Sequence, residues 1–194
     1  MNITLSSLGI RFIGIAIIAL PICALIFGII GFVRLFSNLR KLNHPENMKY
    51  YYMLIICIFV MLISWIFNFG WLRVFLTWLS FPVIHAVIFG IINGKSLLKL
   101  HLSAKLKIYT LLSFVSYIIS YFAFPDGGDG GTMYVFFGLL HGDAATSVAF
   151  TICYWSFITH LVITVLQIIE LIIVKLKMVK KTKSMIPNED IQSE

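Results

Sequence analysis

The chain has 194 residues, of which 60% are hydrophobic and 12% are charged, and its 15 lysines and arginines outnumber 8 acidic residues to give a net charge of +7. A water-soluble domain carries about 25% charged residues, so this composition excludes a soluble globular domain and a disordered chain. The basic residues fall between apolar runs, which is typical of membrane-protein loops rather than of a nucleic-acid-binding surface. The sequence therefore predicts an integral membrane protein and no nucleic-acid partner.

Five apolar segments are long enough to cross the roughly 30 Å of hydrocarbon in a bilayer as helices. They cover residues 12–33, 51–67, 74–93, 108–124 and 146–174. All five are predicted to be α-helical, because backbone groups in lipid must be satisfied within their own segment. The sequence thus predicts an all-α, polytopic transmembrane bundle in one domain, residues 1–183, followed by a polar and disordered tail, residues 184–194.

The connectors between these segments alternate in their basic content. Thirteen of the 15 lysines and arginines lie in the first loop, the third loop and the tail, whereas the N-terminal arm and the second loop hold one each and the fourth loop holds none. Positively charged loops stay on the cytoplasmic side. We therefore expect a multi-pass protein of the inner (plasma) membrane with its N-terminus outside, its C-terminus in the cytoplasm, and anionic lipid near its cytoplasmic face.

Three segments carry small residues on one helical face, a pattern of close helix packing in lipid. These residues are Ala86, Gly90 and Gly94 in the third segment, Ser113, Ser116 and Ser120 in the fourth, and Ala24, Gly28 and Gly31 in the first. The pattern predicts packing within the bundle, and it leaves open a homo-oligomer formed through the third segment. Pro82, which also lies in the third segment, cannot donate a backbone hydrogen bond, so we expect a bend there.

The fifth segment places its polar residues along one stripe when residues are set 100° apart around a helix. The candidate functional residues of this stripe are His160, Thr164, Gln167 and Glu170. His85 of the third segment lies at a depth similar to that of His160, because both segments run inward from the outer surface. Ionisable residues inside a membrane are candidates for function. Three interpretations are open: neutral histidines bonded within the bundle, a proton or ion path toward Glu170, and haem ligated by His85 and His160.

The fourth connector is glycine-rich and acidic, with Asp126, Asp129 and Asp143 and no lysine or arginine. Residues 132–140 within it are apolar but too short to span a membrane, so they are expected to dip into it or to lie along its surface. Together with His141, the aspartates form a possible divalent-cation site. The other interpretations are a solvated turn and a surface that recognises a partner.

No catalytic motif is present: the sequence lacks a nucleophile elbow, HExxH, a Walker A motif and GxGxxG, which argues against an enzyme. The leading hypothesis is a small inner-membrane protein without a cofactor that binds a membrane or envelope protein, as accessory subunits and immunity or exclusion proteins do. The first alternative is a small oligomeric transporter or proton-coupled channel that uses the intramembrane His, Gln and Glu residues. The second is a haem-binding or intramembrane enzyme.

Overall fold

The computed structural model describes residues 19, 22–23, 26–31, 33–34, 37, 45–67, 70–79, 81–125, 134–136 and 139–184. Its helices are α1 (Pro45–Phe67), α2 (Trp71–Trp78), α3 (Phe81–Leu97), α4 (Ala104–Phe122) and α5 (Asp143–Ser184). The described residues between 19 and 37 are helical as well. A 3-10 turn, Leu100–Leu102, joins α3 to α4, and strands β1 (Tyr134–Val135) and β2 (Leu140–His141) pair antiparallel before α5. The predicted all-α class is confirmed, with this small hairpin as the one described exception.

The predicted third span corresponds to two helices rather than to one bent helix. Helix α2 ends at Trp78 and α3 begins at Phe81, so that Pro82 falls in the first turn of α3. A proline is well accommodated there, because the first N–H groups of a helix have no partner within the helix. The interruption that Pro82 predicts thus takes the form of a break between two helices.

The ends of the last two helices also differ from their predicted bounds. Helix α4 begins at Ala104, four residues earlier than expected, because the Ser103 hydroxyl caps it by accepting the Leu106 N–H at 3.3 Å. Helix α5 continues to Ser184 and has 42 residues. At 1.5 Å per residue it is about 63 Å long, roughly twice the hydrocarbon thickness. The predicted tail lies outside the described residues, except for Ser184 itself.

The four longer helices alternate in direction. The Asn47 side chain at the start of α1 donates to the Leu97 carbonyl at the end of α3, at 2.9 Å. Ser103 at the start of α4 donates to Glu170, in the second half of α5, at 2.6 Å. These contacts gather at one end of the bundle, which we call the Glu170 end. The opposite end, which we call the Arg73 end, holds α2, the end of α4 and the start of α5.

Large apolar side chains cover much of the outside of the bundle. Examples are Phe59, Trp155, Val165 and Leu176, which are all more than half exposed. Exposed apolar area is unfavourable in water by roughly 25 cal/mol per Å². Within the described residues, the stretches Asn47–Phe67 and Asp143–Thr182 are long and apolar enough to cross a membrane, and Phe81–Leu97 is a shorter apolar helix. Both observations agree with a membrane location.

The small residues singled out in the third and fourth segments are buried inside the chain. They are Ala86, Gly90, Gly94, Ser113, Ser116 and Ser120. They therefore pack against other helices of the same chain. Gly28, in the first predicted span, packs on α3 as well: a Cβ added to it would lie 3.0 Å from the Val83 side chain.

Candidate functional site

A line of buried and half-buried polar side chains follows the interior of the bundle between α3, α4 and α5. We call it the polar track. From the Glu170 end to the Arg73 end, its members are Glu170, Ser103, Gln167, Thr110, Asn93, Ser113, Ser116, His160, His85 and Tyr121. Polar residues in an apolar bundle hold helices together and are also the groups that can carry ions or protons.

The structure brings the two predicted histidines together. His85 of α3 and His160 of α5 are both buried, and their ring centroids lie 5.0 Å apart in an edge-to-face arrangement. They meet because α3 and α5 run in the same direction from the Arg73 end. Their contact agrees with the similar depth that the sequence predicts for them.

The His85 ring has one bonded and one unbonded nitrogen. Its Nδ1 lies 2.7 Å from the Tyr121 hydroxyl oxygen. Its Nε2 is buried and has no hydrogen-bond partner among the described residues. A buried polar atom without a partner costs about 1–3 kcal/mol, so this nitrogen requires an explanation.

The His160 ring takes part in a hydrogen bond with α4. Its Nδ1 lies 3.3 Å from the Ser116 hydroxyl oxygen, and that hydroxyl also lies 2.8 Å from the Leu112 carbonyl. A hydroxyl has one hydrogen to give. Since the carbonyl can only accept and is the closer partner, Ser116 donates to Leu112 and accepts from the His160 N–H.

Aromatic rings enclose the histidine pair. Phe89 and Tyr117 stack at 3.8 Å with an interplanar angle of 11°, and the Tyr117 ring lies 5.5 Å from His160. Phe157 lies 5.3 Å from His85. Because the two imidazoles contact each other directly, this arrangement leaves no space between them for a porphyrin and does not fit the haem hypothesis. Nor do three or more His, Cys, Asp or Glu residues cluster into a metal site within the described part of the chain.

Two side-chain amides continue the track beyond the histidines. Gln167 Nε2 donates to Asn93 Oδ1 at 3.0 Å and lies 3.2 Å from the Thr110 hydroxyl. Asn93 in turn donates to the Phe89 carbonyl and to the Ser113 hydroxyl, at 2.9 and 3.2 Å. Gln167 Oε1 is buried and has no hydrogen-bond partner among the described residues.

Sequence reasoning missed Asn93, although a signal was present. Asn93 follows His85 by eight residues and Gln167 follows His160 by seven, which is close to two helical turns in both cases. On two helices that run in parallel, nearly equal spacings place two pairs at similar depths. The Asn93–Gln167 pair could have been found in this way.

Glu170 lies where the track approaches the Glu170 end. It is 9% exposed and accepts the Ser103 hydroxyl at 2.6 Å. Lys177 and Lys181 line the same shallow cavity of about 210 Å³ as Glu170. The structure thus gives the carboxylate a definite serine partner.

Thr164, the other predicted member of the stripe, is half-buried one turn from His160.

Arg73 is the buried charge that sequence reasoning counted only as a loop residue. It is 0% exposed, and its guanidinium donates to the backbone carbonyls of Ser64 and Phe124, the latter at 2.8 Å. Its Cζ lies 5.2 Å from the Trp65 ring centroid. The available signal was its isolation, because it is the one basic residue of a connector predicted to lie outside.

The structure keeps the outer-loop candidates away from the polar track. Asp126 and Asp129 lie outside the described residues. His141 is exposed and pairs with Tyr134 in the hairpin, and Asp143 is exposed in the first turn of α5. A carboxylate at that position interacts favourably with the helix dipole. Within residues 132–140, the described part is hairpin.

Comparison with known proteins finds no match. No family model, no curated protein and no solved structure is similar to this chain.

Proposed function

We propose that the chain is a five-span protein of the inner (plasma) membrane, with its N-terminus outside and its C-terminus in the cytoplasm. The alternating directions of α1, α3, α4 and α5 support this topology. The charges support it too, because thirteen of the 15 basic residues belong to connectors at the Glu170 end or to the tail, while Arg73 at the opposite end is buried. The Glu170 end then faces the cytoplasm.

We further propose that the polar track is a proton path and that the protein acts as a small proton-coupled channel or transporter. The observation that carries this proposal is the pair of unbonded buried atoms, His85 Nε2 and Gln167 Oε1, which both belong to the track. Buried polar atoms without partners are few in native proteins and often indicate a functional site or a bound water. Two of them on one line through an apolar bundle favour transport over a purely structural polar core.

The side chains of the track differ in whether they can pass a proton on, and this determines the route of the proton. The Tyr121 hydroxyl and the two imidazoles can each take up a proton on one side and release one on the other. The amides of Asn93 and Gln167 do not transfer protons in this way. Water must therefore enter between His160 and Glu170 during transport, and Gln167 Oε1 is the free acceptor that such a water meets.

Proton flux into vesicles tests this function. Purified protein in liposomes that contain a pH-sensitive dye should acidify the lumen when a potassium diffusion potential drives protons inward. His85→Ala and Glu170→Gln should reduce the rate to that of protein-free vesicles, because each removes a titratable group from the track. His101→Ala is the matched control, since His101 is exposed and off the track. Flux that is absent in the parent, or equal in all variants, contradicts the proposal.

A second candidate function is the binding of a membrane or envelope protein at the outer face, as in an accessory subunit or an immunity protein. The hairpin favours it, because Leu139 is 77% exposed and Leu140 is 46% exposed in a connector proposed to lie outside. Exposed apolar side chains at a loop tip are suited to contact a partner. Pull-down in mild detergent should recover a partner with the parent and with His85→Ala, but not with Leu139→Asp. Equal recovery with Leu139→Asp contradicts this function.

A further inference from the structure

An aromatic cavity lies at the Arg73 end, beside the polar track. Its volume is about 200 Å³, and its walls are Trp65, Leu76, Phe81, Ser120, Tyr121, Phe124, Phe150, Cys153, Tyr154 and Phe157. Seven of these ten side chains are aromatic. A dry cavity of about 150 Å³ in a protein core is large enough to bind benzene. This cavity therefore has room for a larger ring.

The cavity is reached from the apolar surface of the bundle. Phe150 and Tyr154 line it and are 56% and 52% exposed on the outside of α5. Their neighbours Val148 and Trp155 are also exposed there. In the proposed topology this surface faces lipid, so a ligand enters the cavity from the bilayer.

The polar side chains of Ser120, Tyr121 and Cys153 in the cavity wall are already bonded to the protein. Cys153 Sγ donates to the Ser120 carbonyl at 3.2 Å, and the Ser120 hydroxyl donates to the Tyr117 carbonyl at 2.8 Å. The Tyr121 hydroxyl is bonded to His85. A charged or strongly polar ligand would lose its hydration without new partners. The walls therefore select an uncharged ligand, and their flat faces favour a planar ring, which stacks on aromatic side chains.

The cavity touches the polar track at Tyr121, and a single aromatic layer separates it from His85. Phe81 and Phe157 line the cavity, and their ring centroids lie 5.7 and 5.3 Å from that of His85. A ring held in the cavity thus sits against the far side of the residues that contact His85. A change in the protonation of His85 can therefore alter the cavity wall through these two rings, and a bound ligand can alter the surroundings of His85 in the same way.

We propose that this cavity binds the planar ring of an uncharged, lipid-soluble compound of about the size of a naphthoquinone. The proposal rests on the proposed membrane topology for the route of entry, and it does not depend on proton transport. Ring binding and proton flux are therefore tested by separate measurements, and either can fail without the other.

Fluorescence of Trp65 measures the binding directly, because this side chain lines the cavity. The full chain, with Trp71, Trp78 and Trp155 replaced by Phe, is placed in lipid nanodiscs and titrated with 2,3-dimethyl-1,4-naphthoquinone, which quenches tryptophan and whose substituted ring carbons block addition of the Cys153 thiol. Saturable quenching is expected. Cys153→Phe places a phenyl ring in the cavity and should raise the apparent Kd by about tenfold or more. The ligand would then have to enter space that is already occupied, and such overpacking is strongly unfavourable.

A neighbouring cavity supplies the matched control. Trp65 also lines an apolar cavity of about 180 Å³ on the other side, together with Val87 of α3. Val87→Phe fills that cavity instead and should leave the apparent Kd within about twofold, because it adds no volume to the cavity that Cys153 lines. Quenching that does not saturate, or that is the same in parent and Cys153→Phe, overturns the proposal.

Two further measurements test the proposal if Cys153→Phe fails to fold, and test whether a lipid acyl chain occupies the cavity instead of a ring. If Cys153→Phe does not fold, Phe150→Ala at the exposed mouth should weaken binding by about fivefold, as expected for the loss of one ring contact. Phe59→Ala, which removes an exposed ring on α1, should leave binding unchanged. Brominated acyl chains of phosphatidylcholine test whether lipid fills the site. Quenching by these chains that naphthoquinone does not relieve would show an acyl chain in the cavity and overturn the proposal.

Discussion

Arg73 shows how a single charge can be held inside an apolar bundle. Its guanidinium reaches the carbonyl oxygens of Ser64 and Phe124 and lies over the rings of Trp65 and Phe124. Burying a charge is costly unless hydrogen bonds replace its hydration. Arginine suits this position because its planar fork donates in several directions at once and stacks on aromatic faces. The residue therefore joins α2 to the ends of α1 and α4.

Arg73→Lys is predicted to destabilise the protein while keeping the charge. A lysine ammonium cannot reproduce the forked donation or the stacking, so we expect a loss of about 1–3 kcal/mol in the free energy of unfolding. Unfolding in mixed micelles with increasing SDS measures the change. Arg34→Lys, at an exposed position, is the control and should be neutral. Equal stability of the two variants would show that the fork at Arg73 contributes nothing.

Single residues also show what the sequence could and could not predict about the site. His85 and His160 were predictable because depth follows from counting residues along a helix. The Asn93–Gln167 bond follows from the same count. The Ser103–Glu170 bond does not, because Ser103 comes from a connector whose path depends on the 3-10 turn before α4.

At the scale of elements, the chain departs from its hydropathy pattern at the third segment. A continuous apolar run predicts one helix, yet α2 and α3 are separate. Hydropathy reports which residues prefer lipid, and it carries no information on where backbone hydrogen bonds are interrupted. The position of Pro82 suggested an interruption, but not whether it would be a bend or a break.

Gly28→Leu is predicted to weaken the packing of the first helical segment on α3. A Cβ at Gly28 would lie 3.0 Å from Val83 Cγ1, and the rest of a leucine has to displace that side chain. Overpacking of this kind costs about 1–3 kcal/mol, which should appear as a lower Tm in detergent. The double variant Gly28→Leu/Val83→Ala should recover part of the loss. A double variant as unstable as the single one would place the close contact elsewhere.

At the scale of the whole molecule, the proposed topology rests on two independent observations. One is the distribution of basic residues along the sequence, and the other is the set of contacts that places the start of α1, the end of α3 and the start of α4 at the Glu170 end. The fold class followed from composition, because the few charged residues are enough to cover the connectors but not the whole surface of a soluble domain. Direction within the membrane does not follow from contacts alone, because they are the same in either orientation.

Orientation is therefore tested by reporter fusions. A fluorescent protein that matures only in the cytoplasm, fused after Lys183, should fluoresce, and an alkaline phosphatase fused after Pro125 should be active, because the fourth connector lies outside in the proposed topology. Intact fusion proteins that give the opposite results would overturn the proposed topology. The 42 residues of α5 add a physical expectation. A helix of about 63 Å is longer than a crossing of roughly 30 Å of hydrocarbon at ordinary tilt. In the proposed topology, the lysine-rich end of α5 is therefore expected to extend into the cytoplasm.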